Sequence, residues 1–345
     1  MTLSQTAILT KQIITISIIT IVVSLSSFIG YKIWYAYYLA HLPPVEEKPD
    51  VKFGQLPLPN FPKGSVSSSN FSYSIDTSTG NLPKVGIDPD FSKIAKVYFV
   101  TKTYATLLSA ENSKTLAEKF GIKTDPRVIS ETGYLFQDDK KSLTIDLDNG
   151  NFSYKVDLAI SGKDSLDDDN KLVSGFLREL QTLGVFREEL SKGRNRVLHL
   201  KEGETEFAQI SLWPASIDNK LIFTSQFNTS DISAKVYKNT ENLSNYLELN
   251  FNYYPVEPTT FATYPVKSAE IAFEDLKSGK GVIIVEPTKP EVSITSIYLG
   301  YFLSKNYNPY LQPIFIFEGP SFVAYVSAIS EEYFEINAPT QIQAR

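Results

Sequence analysis

The 345-residue chain has no cysteine and only two histidines, His41 and His199. Without cysteine it can form no disulfide, thiol nucleophile, thiolate metal site or lipid-bearing lipoprotein cysteine. With so little imidazole, a metal site would need carboxylates alone. His41 falls where a membrane face is expected, so no Ser-His-Asp arrangement can use it sensibly. His199, in Arg196-Val-Leu-His-Leu, alternates with apolar neighbours and is expected on the solvent side of a strand. No GxSxG elbow occurs. No phosphate loop occurs either, because Lys277-Ser278-Gly279-Lys280-Gly281 follows a helical pattern instead of opening one. A basic stripe is also missing: net charge is −6 and the isoelectric point is near 5.2, so nucleic acid is not an expected partner. No catalytic, cofactor-binding or metal-binding residue is assigned, and the expectation is a protein that is not an enzyme.

What is present starts with Gln12 to Tyr31, a run without charge flanked by Lys11 and Lys32. Twenty helical residues at ~1.5 Å each span ~30 Å, the depth of a bilayer hydrocarbon core. Ile33-Trp34-Tyr35-Ala36-Tyr37-Tyr38 follows as an aromatic belt suited to the headgroup layer, and Lys32 can snorkel past it. A cleaved signal peptide would have a shorter apolar core and a small-x-small site, whereas bulky aromatics follow here. Residues 12–38 are therefore read as an uncleaved signal anchor in contact with the lipid bilayer. Lys11 and the free N-terminus favour a cytoplasmic tail over residues 1–11. Lys32, Lys48 and Lys52 lie on the other flank, but so short a tail can house little function. A single-pass cell-membrane protein with its bulk extracytoplasmic is expected, and the missing cysteines point to a bacterial envelope.

Pro43, Pro44, Pro49, Pro57, Pro59 and Pro62 precede Gly64-Ser65-Val66-Ser67-Ser68-Ser69, and residues 39–70 read as a Pro/Ser-rich stalk. Roughly 280 residues remain, enough for one large domain or two ordinary ones. Three segments carry helical punctuation. Ser109 to Phe120 has Ser109 as a cap and Gly121 beyond. Ser165 to Leu183 places Leu172, Val173, Phe176, Leu177, Leu180 and Leu183 on one face, with Ser165 as cap and Gly184 as stop. Ser268 to Ser278 repeats the design before Gly279. Most of the rest reads as strands. Ser142 to Asp157 is expected as a hairpin with a tight primed turn at Asn149-Gly150. Phe207 to Trp213 and Leu221 to Phe227 flank a turn at Asp218-Asn219, and four strands follow from Val282 to Ile329. The expected fold class is α+β: mainly antiparallel sheets with about three amphipathic helices. A first module is set at 71–162, a second at 163–330 and a polar tail at 331–345.

The acidic residues offer weak chemistry. Asp146-Leu-Asp148-Asn-Gly150 has the wrong spacing for a calcium loop, and Asp164 to Asn170 is better explained as a helix start. Glu131, Asp138, Asp139, Glu202, Glu204, Glu206 and Glu286 could include a hydrolase pair, which only a measured separation could establish. Four glycosylation-type triplets, at Asn70, Asn151, Asn228 and Asn242, are unremarkable in this composition. Two aromatic groups, Phe251, Tyr253, Tyr254, Phe261, Tyr264 and Tyr298, Tyr301, Phe302, Tyr307, Tyr310, are expected as core filling or else as a partner surface.

Ser268-Ala-Glu-Ile-Ala-Phe-Glu-Asp-Leu-Lys-Ser-Gly279, the long strand Ile294 to Phe302 and Tyr310-Leu-Gln-Pro-Ile-Phe-Ile-Phe317 resemble YycH/YycI-type regulators. The resemblance covers roughly the last third of the chain and the overall layout. It implies one membrane helix, an extracytoplasmic α+β region and an envelope protein partner, a wall-sensing histidine kinase. It carries over no catalytic residue. The functional expectation is a non-enzymatic binding or regulatory protein of the cell envelope. The alternatives are a carboxylate-dependent glycan hydrolase and a structural assembly component.

Overall fold

The computed structural model describes residues 3–40, 48–157 and 165–335. Two units emerge, residues 1–48 and 49–345. The first contains helix α1 (Leu3–Ala40). Its stretch Ile14–Tyr38 has a mean hydropathy of 2.0 and none of it is buried, so it is long and apolar enough to cross a membrane. Thr15 and Thr20 donate their hydroxyls to the Lys11 and Ile16 carbonyls at 2.8 and 2.9 Å, the internal satisfaction that hydrocarbon demands. Trp34 stacks on Tyr38 at 5.7 Å in the expected aromatic belt.

The second unit runs, in chain order, β1 (Ser72–Ile75), β2 (Ile94–Val100), α2 (Ser109–Lys119), β3 (Arg127–Val128), β4 (Gly133–Gln137), β5 (Lys141–Asp146), β6 (Phe152–Val156), α3 (Asp169–Leu183) and α4 (Glu188–Ser191). It continues with β7 (Asn195–Glu202), β8 (Thr205–Leu212), β9 (Ile222–Phe223), β10 (Ile232–Val236), β11 (Tyr246–Phe251), β12 (Val256–Pro265) and α5 (Ala269–Lys277). It ends with β13 (Val282–Val285), β14 (Glu291–Ile294), β15 (Ser296–Phe302), β16 (Tyr310–Gly319) and β17 (Phe322–Ser327). One sheet is antiparallel throughout, in the order β3-β4-β5-β6-β11-β10-β8-β7. The other follows β12-β2-β16-β15-β9, with β17 joining β16 to β13. A parallel pair, β1 with β14, stands beside them.

The α+β class and the antiparallel sheets match expectation; the division of the chain does not. Val100 and Val256 are register partners in the β2–β12 pair, and the Thr101 N–H donates to the Pro255 carbonyl at 2.8 Å. The eight-stranded sheet is thus built from an excursion between two paired residues. It draws β6 and β11 together from either side of the expected boundary at 161–164, which itself lies outside the described residues. Sequential modules at 71–162 and 163–330 therefore do not describe the body.

The expected stalk is also different where it is described. Residues 41–47 lie outside the described set, but from Pro49 the chain is a strap fastened to the body. Asp50 and Thr263 exchange hydrogen bonds at 2.8 and 2.9 Å. Leu56 is fully buried, and its N–H donates to the Tyr333 carbonyl at 2.7 Å. Gln312 Nε2 and the Tyr264 hydroxyl donate to the carbonyls of Pro57 and Gly54 at 2.8 and 2.9 Å. Proline cannot donate but its carbonyl still accepts, so side-chain donors hold what a strand ladder could not. The serine tract is fastened too: buried Ser68 donates to the carbonyls of Leu276 and Gly281 at 2.7 and 3.1 Å. Of the expected polar tail, Glu331–Tyr333 forms a 3₁₀ turn and Phe334 is buried; residues 336–345 lie outside the described set.

The helices follow their apolar stripes. Leu172, Phe176, Leu180 and Leu183 of α3 pack into one core with Ile145, Tyr154, Ile210, Ala234 and Leu249 of the large sheet. The helix starts later than its pattern suggests, because Asp168 caps the Lys171 N–H and Ser165 does not. Ser268 does cap α5 as expected, whereas α2 begins after Leu108 without a side-chain cap. Gly184 ends α3 at φ +82°, a left-handed position that suits glycine. β5 and β6 form the expected hairpin, but with a longer loop in which Asp146 collects the Asp148 N–H and the Asn149 amide. The primed turn lies at Asp218-Asn219 instead, with φ values of 51° and 58°.

Candidate functional site

Successive residues on a strand face opposite sides, so the large sheet has one face on α3 and one away from it. The second face is polar across β5, β6, β11 and β10, with Leu198, Leu200, Phe207 and Trp213 on it at the β7–β8 end, and its registers order the side chains into rows. Ser142, Lys155, Glu248, Lys235, Gln209 and Leu198 align across six strands. Thr144, Ser153, Asn250, Ser233, Ser211 and Arg196 form the next row. Continuing the registers by two residues places Asp146, Asn151, Asn252, Asp231, Trp213 and Arg194 in a third. Strands β5, β6, β11, β10 and β8 are each paired on both sides, so there only side chains are available to a ligand, and the sheet ends at the edge strand β7.

Loops 224–231 and 303–308 wall this face into a cleft of about 720 Å³. Its polar lining includes Asn250, Asn252, Ser153, Gln226, Asp231 and Lys305, with Tyr254 at one side. The floor is pre-ordered. The Ser153 hydroxyl donates to Asn250 Oδ1 at 2.7 Å, and Asn252 Nδ2 donates to the Lys305 carbonyl at 2.9 Å. Lys155 and Glu248 stand 3.8 Å apart as an exposed ion pair. Asp231 is different: burial pushes its carboxyl above the ordinary aspartate range, against the opposing pull of Lys305 and the Ser225 N–H. Three carboxylates line the cleft, Asp146, Asp231 and Glu248.

None of the seven acids considered for a hydrolase pair lines it, whereas Asp146, considered only for a calcium loop, does. Asp138 closes the β4–β5 turn by accepting the Lys140 and Lys141 N–H groups at 2.9 and 2.7 Å, and the bond from Lys140 leads in holding its carboxyl low. Glu202 pairs with Lys235 at 2.7 Å, and Glu286 accepts the Ser65 hydroxyl at 3.0 Å. His199 sits on the helix-bearing face of edge strand β7, exposed, with Nε2 2.8 Å from Asp169 of α3. Of the two aromatic groups, Phe251, Tyr253, Tyr254, Tyr264, Tyr301 and Phe302 are buried, which is the core filling expected of them and not a partner surface. Among the described residues no group of three or more acids or histidines is placed to hold a metal ion. The signal that could have found the cleft is the alternation Glu248-Leu-Asn250-Phe-Asn252 beside Ser153-Tyr-Lys155, a polar period of two on strands whose other face is core.

No family model matches this chain, and no curated protein does. One solved structure, an uncharacterized protein from Eubacterium rectale, is similar at 12% identity with a TM-score of 0.36, covering 77% of this chain and 91% of that one. A superposition that loose establishes no shared fold or function.

Proposed function

We propose that this is a single-pass, membrane-anchored extracytoplasmic protein that binds a polar ligand of the cell envelope in the cleft of its large sheet. The observation that carries the reading is the polar floor of β5, β6, β11 and β10, where hydroxyl, amide and charged side chains align in rows. Asn, Gln and Ser both donate and accept, which matches the hydroxyl and acetamido groups of a glycan. An extended peptide recognised by strand addition would need a free sheet edge, which lies at β7 and not among the paired strands that carry the hydroxyl and amide rows. Lys155 and Lys305 against three carboxylates do not favour a polyanion.

Asp231 supports a second reading, hydrolysis of the same glycan class. A carboxyl raised by burial is suited to general-acid work, and Glu248 and Asp146 share its cleft. The resemblance to the YycH/YycI type adds a third element, a membrane-bound kinase partner, which co-purification from membranes would test.

The deciding experiment is calorimetric titration of the full chain in lipid nanodiscs with a β-1,4-linked N-acetylglucosamine tetramer. Saturable binding that is lost in Asn250→Ala supports the cleft reading. Absent binding, or equal binding by the variant, overturns it. Release of new reducing ends that stops in Asp231→Asn would favour the hydrolase.

A further inference from the structure

The third polar row ends in a corner that the cleft reading does not use. The Arg194 guanidinium lies 4.2 Å over the Trp213 ring and 5.0 Å over Phe223, on the sheet face shared with Ser211 and Arg196. Arg194 Nε and Nη2, Trp213 Nε1 and Ser211 Oγ are all buried and without a hydrogen-bond partner. Trp213 and Ser211 are each only 1% exposed. Tyr325, which meets Phe223 edge-on at 5.9 Å, carries another buried hydroxyl without a partner. Most of the unsatisfied buried side-chain atoms of the described residues therefore gather around one guanidinium.

The set has a definite chemical sign. Arginine and tryptophan nitrogens only donate, and the hydroxyls can donate, so the missing partner is an acceptor. Its charge follows as well. Among the described residues no carboxylate forms an ion pair with Arg194 or Arg196, and Arg196 bonds instead to Asn228 Oδ1. The ionisable groups acting on Arg194 are Tyr325, Tyr298 and Arg196, while burial disfavours its charge. The nearby acids are otherwise engaged: Glu318 accepts the Tyr298 hydroxyl at 2.8 Å, and Asp231 stands across Trp213 in the row, bonded to the Ser225 N–H. Arg194 is half-buried, and its two buried nitrogens face no counter-charge among the described residues. The backbone is closely packed beside the corner, since a Cβ on Gly193 would lie 1.8 Å from the Trp213 carbonyl.

We infer that Arg194, Trp213 and Ser211 form a binding site for one organic carboxylate. The side-on pair Nε and Nη2 matches the two oxygens of a planar carboxylate. One half-buried guanidinium balances a monoanion, and a phosphate dianion would leave uncompensated charge. The site stands whether or not the cleft takes a glycan.

The test uses the scarcity of tryptophan, since the chain has only Trp34 and Trp213. In the full chain carrying Trp34→Phe, Trp213 emission reports on the corner alone. Titration with acetate and butyrate at constant ionic strength is expected to change that emission saturably, where chloride and phosphate do not. Arg194→Lys, which keeps charge but loses the fork, should weaken the response at least about tenfold, as expected for a lost charge-assisted bond. Arg194→Met should abolish it. No response to either acid, an equal response to phosphate, or an unchanged response in Arg194→Met overturns the inference. If that variant does not fold, a crystal structure of the full parent chain in acetate decides. Carboxylate oxygens on Nε and Nη2 support the site; an adventitious ion elsewhere only, waters only, or Asp231 swung onto the guanidinium overturns it.

Discussion

At the scale of single residues, Asp231 is retained at a cost to stability. Its folded carboxyl lies above the ordinary aspartate range while the unfolded chain keeps the ordinary value. Between those two values the folded state binds more protons, so stability falls as pH rises through that window and stays lowered above it. Asp231→Asn removes the penalty and can still accept the Ser225 N–H. The variant should melt higher than the parent near neutral pH, with the gain shrinking as pH falls to the ordinary aspartate range. Thermal unfolding across pH checks this; a variant less stable at neutral pH would count against it. A stabilising substitution that also removes binding or hydrolysis is the pattern of a functional residue. The same contrast separates Asp231 from Asp138, whose turn bonds lower its carboxyl and give it a plain structural role.

At the scale of elements, α5 is held by a buried ion pair. Lys267 and Asp275 meet at 2.6 Å with side chains 6% and 9% exposed, and Lys280 approaches the same carboxylate at 3.4 Å. Desolvation is the main influence on Lys267 and disfavours its charge, with the bond to Asp275 opposing it. Removing one partner strands the other, so Asp275→Ala should cost about 3–5 kcal/mol, whereas Lys267→Met with Asp275→Leu should recover most of that. Chemical denaturation of the three proteins measures the difference, and equal losses in the single and double variants would reject this account. The pair was not legible beforehand: Lys267 precedes a helix and Asp275 lies inside it, and nothing local says that both turn inward. The Ser268 cap and the apolar stripe of α5 were legible, because they depend on residues within a few positions of each other.

At the scale of the whole molecule, an apolar helix spans residues that read as an anchor, and a large β-rich body follows. The side of the membrane on which that body lies can be tested directly, because the cysteine-free chain accepts single reporters. With the N-terminus inside, Ser78→Cys, at an exposed position, should react with a membrane-impermeant maleimide on intact cells, and Ser4→Cys only after lysis. The reverse pattern would invert the topology and move the cleft to the cytoplasm. The strap carries the second lesson at this scale. A proline-rich, serine-rich segment normally signals an extended spacer, yet Leu56 and Phe61 supply apolar anchors, and Phe61 meets Phe302 at 4.9 Å. Composition pointed to a free spacer, and the tertiary contacts place the segment on the body instead.

Properties set by neighbours in the chain could be read directly: the membrane-length apolar run, the stripe on α3, the β5–β6 hairpin and the α+β class all follow from spacing of two or three to four residues. Pairing between distant strands could not. Val100 meets Val256, Ser153 meets Asn250 and Ser233 meets Ser211 only because the intervening chain folds on itself. The cleft and the Arg194 corner are made by those meetings. Each contributing strand shows only an ordinary polar face in isolation, and it is the shared register of six strands that turns scattered hydroxyls and amides into a site.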